Sequence, residues 1–503
     1  MKKLYVLVAL FLTSGIAFAQ TDADVLRFSR TLPLGTARSA AMSGAFGALG
    51  GDISTLNVNP AGIGVFRKSE ASITLSPDFG NTKAGGQTAH DNSFQMGDIG
   101  VVISLYNPNF DWRGINFGIN YTNMNNFNRH TTQAIAKSPN SFSQYLAQDI
   151  NALIAYVLSQ NPTADLADYF SELQWLGIES NFILSDNENE DNPYFEPAII
   201  GANQKKIIKE DGYQGEYAFS FGTNYKDKLY LGITIGLQNI YYKMKSVYSE
   251  TPDQDNPYEL ERFNFEEHLK TTGVGTNFKF GVIYRPIPEL RLGATIHTPT
   301  YYSMTDTYDV GMYTKYKTPV EGQTEYYGGP SYYKYDYDLK TPWKAILSIA
   351  GVIQQKAIIS FDYEYVNYSS ARLKNGADGY DYYEPDGSGV NNQIKDYLSS
   401  THNFRLGAEY RINSMVSVRG GYSFYASPYK DNKDLNKIQT LSCGFGLNFG
   451  QFYCDAAYIY KFSKDITRFY SYYDEDPEYD VIAEPINNKY NNHIAKVSVG
   501  MKF

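Results

Sequence analysis

The residues of this chain that could do chemistry are few and scattered. His90, His130, His268, His297, His402 and His493 stand far apart, without the short spacings that bring imidazoles onto one metal ion. No His-Glu-x-x-His, no Gly-x-Ser-x-Gly and no phosphate-cradling glycine loop occurs. The acidic stretches at 378–389 and 472–480 offer carboxylates such as Asp378, Asp381 and Asp386. They lack the ligand register of a calcium loop and read as solvated loops. Cys443 and Cys454 are too few for a disulfide framework and are expected as two free thiols. The sequence therefore predicts no catalytic residue, no metal and no cofactor. What remains is a set of charges of both signs, Asp362, Glu364, Arg405, Glu409, Arg411, Arg419 and Asp455, whose meaning depends on the elements that carry them.

Those elements show a period of two. Ile115, Phe117, Ile119 and Tyr121 alternate with Gly114, Asn116, Gly118 and Asn120; Leu441, Cys443, Phe445 and Leu447 alternate with Ser442, Gly444, Gly446 and Asn448. This is the pattern of a strand with one apolar face. The other face is small and wettable, as the lumen of a membrane barrel requires. Fourteen strands are predicted, at about 70–78, 97–107, 113–123, 214–225, 228–240, 276–286, 289–299, 341–353, 356–367, 400–411, 416–426, 438–449, 452–462 and 490–503. Short turns such as "KDK" (226–228), "PIPE" (286–289) and "GQ" (450–451) alternate with long loops rich in Tyr, Asp, Asn and Gly. Together these predict an all-β membrane protein, an antiparallel transmembrane β-barrel of about fourteen strands. The charges above then face the lumen, where pairing with one another is the default.

The flanks agree with an outer-membrane address in a Gram-negative bacterium. Residues 1–19, with Lys2 and Lys3 before an apolar run and Ala17-Phe18-Ala19 at its end, read as a signal peptide. Its removal takes the formal charge from -10 to -12, because two lysines and no acids leave. That acidity excludes nucleic acid as a partner. The final strand, "AKVSVGMKF", is amphipathic and ends in Phe503, as barrels presented to an insertion machinery do. Within one long loop, at about 140–178, Phe142, Leu146, Ile150, Leu153 and Val157 recur at helical spacing, and Leu166, Phe170 and Leu173 begin a second stripe. This helical extracellular loop either caps the barrel or forms an apolar groove, with Phe142, Leu146, Leu153, Phe170, Leu173 and Trp175 as its candidate lining.

Residues 35–66, "GTARSAAMSGAFGALGGDISTLNVNPAGIGVF", resemble the N-terminal segment of the FadL/TodX family of outer-membrane transporters for hydrophobic compounds. The match runs through Asp52, Ser54, Thr55, Asn59, Pro60, Ala61 and Gly62. "RPIPELRLGATIHTP" (285–299) and "TPWKAILSIAG" (341–351) are weaker likenesses. The resemblance implies that residues 20–68 form a hatch inside a barrel spanning 69–503, with Asn59, Pro60, Ala61 and Gly62 at the gate. It implies a lateral exit at a kink in the third strand, where Gly118 is the candidate, and a fatty-acid head group that Arg405 or Arg419 could hold.

The reading is passive uptake of a hydrophobic small molecule, a long-chain fatty acid or an aromatic hydrocarbon, by a monomer embedded in outer-membrane lipid. The alternative is a surface barrel that binds haem or a host molecule without transport.

Overall fold

The computed structural model describes residues 21–473 and 480–503, apart from 33, 187–192, 254–258, 321, 355 and 376–388. The expected signal peptide, the carboxylates Asp378, Asp381 and Asp386, and most of the 472–480 loop lie outside the described residues. Fourteen antiparallel strands close into a barrel. They are β1 (Glu70–Ala84), β2 (Gln87–Tyr106), β3 (Trp112–Asn126), β4 (Ala202–Tyr225), β5 (Leu229–Pro252), β6 (Leu260–Ile287) and β7 (Leu290–His297). The wall continues through β8 (Lys344–Ile353), β9 (Ala357–Asn367), β10 (Ser400–Arg411), β11 (Val416–Tyr425), β12 (Ile438–Asn448), β13 (Phe452–Thr467) and β14 (Ile486–Lys502). The last strand pairs with the first from Glu70↔Lys502 to Ala84↔Asn488, so the sheet has no edge there.

The barrel is apolar outside and polar inside. On β3, Ile115, Phe117 and Ile119 are exposed while Asn116, Asn120 and Thr122 are buried. The same holds for Tyr217, Phe219 and Phe221 on β4 and for Leu231, Ile233, Ile235 and Leu237 on β5. Such a belt is stable only against hydrocarbon, which places the barrel in a Gram-negative outer membrane. Cys443 on β12 and Cys454 on β13 are free thiols on this outer side.

Several expected loops are strand. The 78–97 stretch continues β1 and β2 to a turn at Gly85-Gly86, both at positive φ, where a side chain would be strained. Segments Tyr301–Val320 and Gln323–Lys340 form a hairpin whose first arm pairs with the upper half of β6, from Tyr301↔Thr276 upward. The reason these escaped notice is physical. They rise above the lipid, where no face needs to be apolar, and the period of two fades.

Inside the barrel the N-terminal chain forms α1 (Asp22–Ser29), α2 (Ala37–Ala41) and α3 (Thr55–Val58), then a 3-10 turn at Pro60–Val65. Thr21 and Asp24 cap α1 reciprocally, and the Thr36 hydroxyl accepts from Ser39 N to start α2. Above it, α4 (Phe142–Gln160) and α5 (Glu172–Glu179) cover the extracellular mouth. The α4 stripe Phe142, Leu146, Ile150, Ile154 and Val157 is buried.

Glu250 lies nine residues above Tyr241, outside the lipid, and is fully buried beneath this cap. It accepts from Phe142 N at 2.8 Å and from Gln204 Nε2 at 3.0 Å, yet burial pushes its pKa up from 4.5 to about 7. Burial also raises Asp149 on α4. Folding therefore favours the protonated form, and this contribution is complete below pH 4.5 and lost as pH rises through about 7. Hydrogen exchange of the α4 amides, corrected for intrinsic rate, should show protection falling across that window, and Glu250→Gln should flatten the fall.

Candidate functional site: the plugged lumen and its seam

The plug is seated on strand glycines. A Cβ at Gly281 would stand 1.9 Å from Asn59 Oδ1, and one at Gly232 would stand 2.2 Å from the Pro60 carbonyl. A Cβ at Gly222 would meet Ile63 at 2.2 Å, and one at Gly118 would meet Leu56 at 2.7 Å. On the opposite wall Gly407 and Gly421 receive Met42, and Gly444 receives Ala41. The lumen glycines read in the sequence as wettable surface are thus mostly seats for a second layer of chain.

Polar groups complete the fit. Asn59 Nδ2 donates to Gly47 O at 2.6 Å, and its Oδ1 accepts from Ala61 N at 3.0 Å, so one side chain holds the Asn-Pro-Ala turn. Asn116 on β3 donates to Ile63 O at 2.6 Å, and Asn57 donates to Glu216 on β4 at 2.7 Å. Asp52 accepts from Ser54 N at 3.0 Å and from the Thr36 hydroxyl at 2.9 Å, tying the two halves of the plug. Asn59, Pro60, Ala61 and Gly62 are all buried in this arrangement.

Of the charges predicted to face the lumen, Asp362, Glu364, Arg405, Glu409, Arg419 and Asp455 do so and pair there, while Arg411, at the end of β10, is exposed and makes no ion pair among the described residues. Arg405 lies 3.5 Å from Asp362 and 3.3 Å from Glu364. Arg419 bonds Glu409 at 2.7 Å and also reaches Asp455. Glu409 in turn takes a two-pronged contact from Arg38 of the plug, at 2.9 and 3.2 Å. Arg405 and Arg419 are thereby committed to carboxylates of this chain. Lys461 is different: it faces inward on β13, and among the described residues no carboxylate lies within 4 Å of it. It shares the parity of Asp455 on the same strand, and that was the signal available in the sequence.

Of the candidate groove residues, three are buried within the cap and three are half-buried at its surface. Phe142, Leu146 and Leu173 are buried, and Phe142 packs on Tyr145, Tyr248, Phe263 and Tyr470. Leu153, Phe170 and Trp175 are half-buried, with Phe170 edge-on to Trp175 at 5.5 Å.

A break in the wall lies between β2 and β3. Their ladder runs from Tyr106↔Gly114 to Asp98↔Thr122 and stops. Above it, β2 residues 87–96 pair with β1 alone, while β3 and the segment Arg129–Ser138 follow β4. The parting begins where β2 bulges at Gly97 and where the β3–β4 register shifts between Asn123 and Asn125. Gly118 lies below, in regular ladder between Val102 and Ser220. Across the seam, side chains replace backbone bonds: Gln95 donates to Asn126 at 2.7 Å, and Asn126 to Ser93 at 2.9 Å.

A cavity of about 60 Å³ reaches the seam from within, lined by Leu32, Leu34, Gln95, Gly97, Met124 and Lys461 among others. A second, of about 360 Å³, lies around α1 and shares Leu32, Asn125, Asn126 and Lys461 with the first. The stretch between α1 and α2 crosses the inner side of the seam: Leu32 N donates to Met124 O at 3.0 Å, and Asn125 Nδ2 to Arg30 O at 2.7 Å.

Among solved structures, a FadL homologue from Pseudomonas aeruginosa aligns over 94% of this chain and 99% of its own, with TM-score 0.55 and 12% identity. The chain has the FadL fold. A deltaS2 mutant of the monoaromatic hydrocarbon channel TodX aligns over the same shares with TM-score 0.52 and 13% identity. No family model matches the sequence. No curated protein matches it either. At such identity the FadL likeness is one of backbone, so the roles of individual side chains rest on the contacts described above.

If the glycine seats hold the plug, Gly232→Val should loosen it, with overpacking of about 1–3 kcal/mol or more. Bilayer recordings of the variant should show conductance bursts that wild type lacks. Gly351→Val, at a position with no neighbour within 4 Å, should be silent.

Proposed function

We propose that this barrel carries amphipathic, largely apolar molecules with an acidic head, such as long-chain fatty acids, passively across the outer membrane and releases them sideways through the seam. The observation that carries this reading is the pair of adjoining cavities that run from the space around α1 to a parting in the wall. The plug fills the lumen below, so a straight aqueous route has no support. A sideways exit lets a hydrocarbon tail pass from protein to lipid without entering water, keeping roughly 0.8 kcal/mol per buried CH₂. Beside the seam, the outward residues Phe94 and Met96 are exposed and apolar.

The gate in this scheme is formed by Arg30, Leu32 and Leu34, which lie against the seam or its cavity, and the Asn59-Pro60-Ala61-Gly62 turn acts as its anchor. Arg30 is itself held by carbonyl oxygens, at 2.7 Å to Asn436 and 3.2 Å to Ala426. Lys461, at the junction of the two cavities, takes the carboxylate. The larger cavity is walled by charged residues including Arg129, Glu210, Lys464 and Asp465, which suits a head group better than a bare aromatic hydrocarbon.

The deciding assay is uptake of labelled oleate and labelled toluene by cells lacking other uptake routes. In a Cys443→Ser/Cys454→Ser background, Leu32→Cys with Met124→Cys should tether the gate segment to β3 at the edge of the seam. Oleate uptake should stop under oxidation and return on reduction. Uptake unaffected by a verified tether would sink the lateral gate, and oleate binding without uptake would favour a surface binder. Separately, Lys461→Gln should cut oleate uptake about tenfold while leaving a neutral alkane of equal length unchanged.

A further inference from the structure

On the outer face of β4, β5 and β6, just above the belt, the strand register stacks like charges. Tyr213 and Tyr241 are cross-strand partners with rings 6.3 Å apart, at the upper edge of the apolar surface. Two residues higher, Lys243 pairs directly with Lys270 across β5 and β6. Two residues higher again on β5, Lys245 pairs directly with Lys209 across β4 and β5. All four lysines are exposed, and their parity puts them on the side of Tyr213 and Phe219, facing away from the lumen.

Like charges directly opposite in an antiparallel pair destabilise it, because Cβ atoms stand about 5 Å apart there. Two such pairs side by side concentrate four ammonium groups on a patch spanning three strands. Among the described residues none of Lys209, Lys243, Lys245 and Lys270 has a carboxylate within 4 Å. The nearby His268 does: it meets Asp309 at 2.9 Å. Asp211 is the cross-strand partner of Lys243 but makes no such ion pair. A chain of formal charge -10 has acids in plenty, yet beside this cluster it places Asp211 alone, too far from Lys243 for an ion pair.

Height selects the counter-charge. At about 3.4 Å per residue and a tilt of about 40°, the lysine rows stand roughly 5 and 10 Å above the tyrosines. The head-group layer is about 5–7.5 Å deep on each side, so the lower row lies within it and the upper row just above, within reach of a flexible lysine side chain. We propose that Lys209, Lys243, Lys245 and Lys270 form a docking site for the phosphate groups of a phosphorylated glycolipid in the outer leaflet, whose acyl chains lie on the apolar belt below. The site is separate from the transport path: it faces lipid, and none of the four lysines lines either cavity.

The test is lipid binding to the purified full-length barrel, titrated with diphosphoryl lipid A in mixed micelles and read by native mass spectrometry. Lys209→Gln/Lys243→Gln/Lys245→Gln/Lys270→Gln should weaken binding at least about tenfold, and the matching quadruple Arg variant should bind like wild type. Dephosphorylated lipid A should bind all three proteins equally weakly, and millimolar inorganic phosphate should not displace the lipid. In lipid-free detergent the Gln variant should melt no lower than wild type, since a repulsion has been removed; heat-modifiability on a gel confirms that it is folded. Should four changes prevent folding, Lys243→Gln/Lys270→Gln alone should show a weaker form of the same loss. Wild-type affinity in the Gln variants would overturn the proposal, as would dephosphorylated lipid binding as tightly as the phosphorylated form.

Discussion

A backbone amide facing hydrocarbon has no water to turn to, and this requirement governs everything else in the structure. Closing β14 onto β1 meets it around the barrel. The parting between β2 and β3 is where it is relaxed, and the substitutes are visible: Gln95, Asn123 and Asn126 bridge with side chains, and the N-terminal chain supplies backbone partners to Met124. Amide side chains suit this place because each carries both donor and acceptor. They hold the seam together more loosely than a ladder does, since a side chain can rotate away without unpairing a strand.

The second constraint is volume. A fourteen-stranded cylinder encloses more space than side chains from its own wall can fill. Here the N-terminal chain fills it, and the wall responds with glycine wherever the plug's backbone comes closest, at Gly232 and Gly281 opposite the Asn59-Pro60 turn. Buried carboxylates and guanidiniums then neutralise one another in pairs that join plug to wall, as Arg38 and Glu409 do. Breaking one partner of such a pair leaves an uncompensated charge, so the network favours one seating of the plug over others.

Much of this was legible in the sequence. The alternation in segments such as 113–123 marks the belt, because only lipid rewards a regular apolar outer face. The seam was not legible. Its cause lies in a bulge at Gly97 and a register shift at Asn123–Asn125, and neither leaves a mark beyond a few ordinary polar residues. The upper strands were missed for the reason that the belt was found: above the lipid the selection for alternation ends. The partners of Arg405 and Arg419 depended on which residues the strands bring opposite, and that register is set by the closed sheet as a whole.

Ala37 N donates to Ser498 on β14, and Ser498 shares a hydrogen bond with Thr74 on β1, so the buried N-terminal segment touches the two strands whose meeting completes the cylinder. The serine that seats α2 is therefore also a member of the closing pair, so a single side chain joins the packing of the interior to the last ladder of the wall.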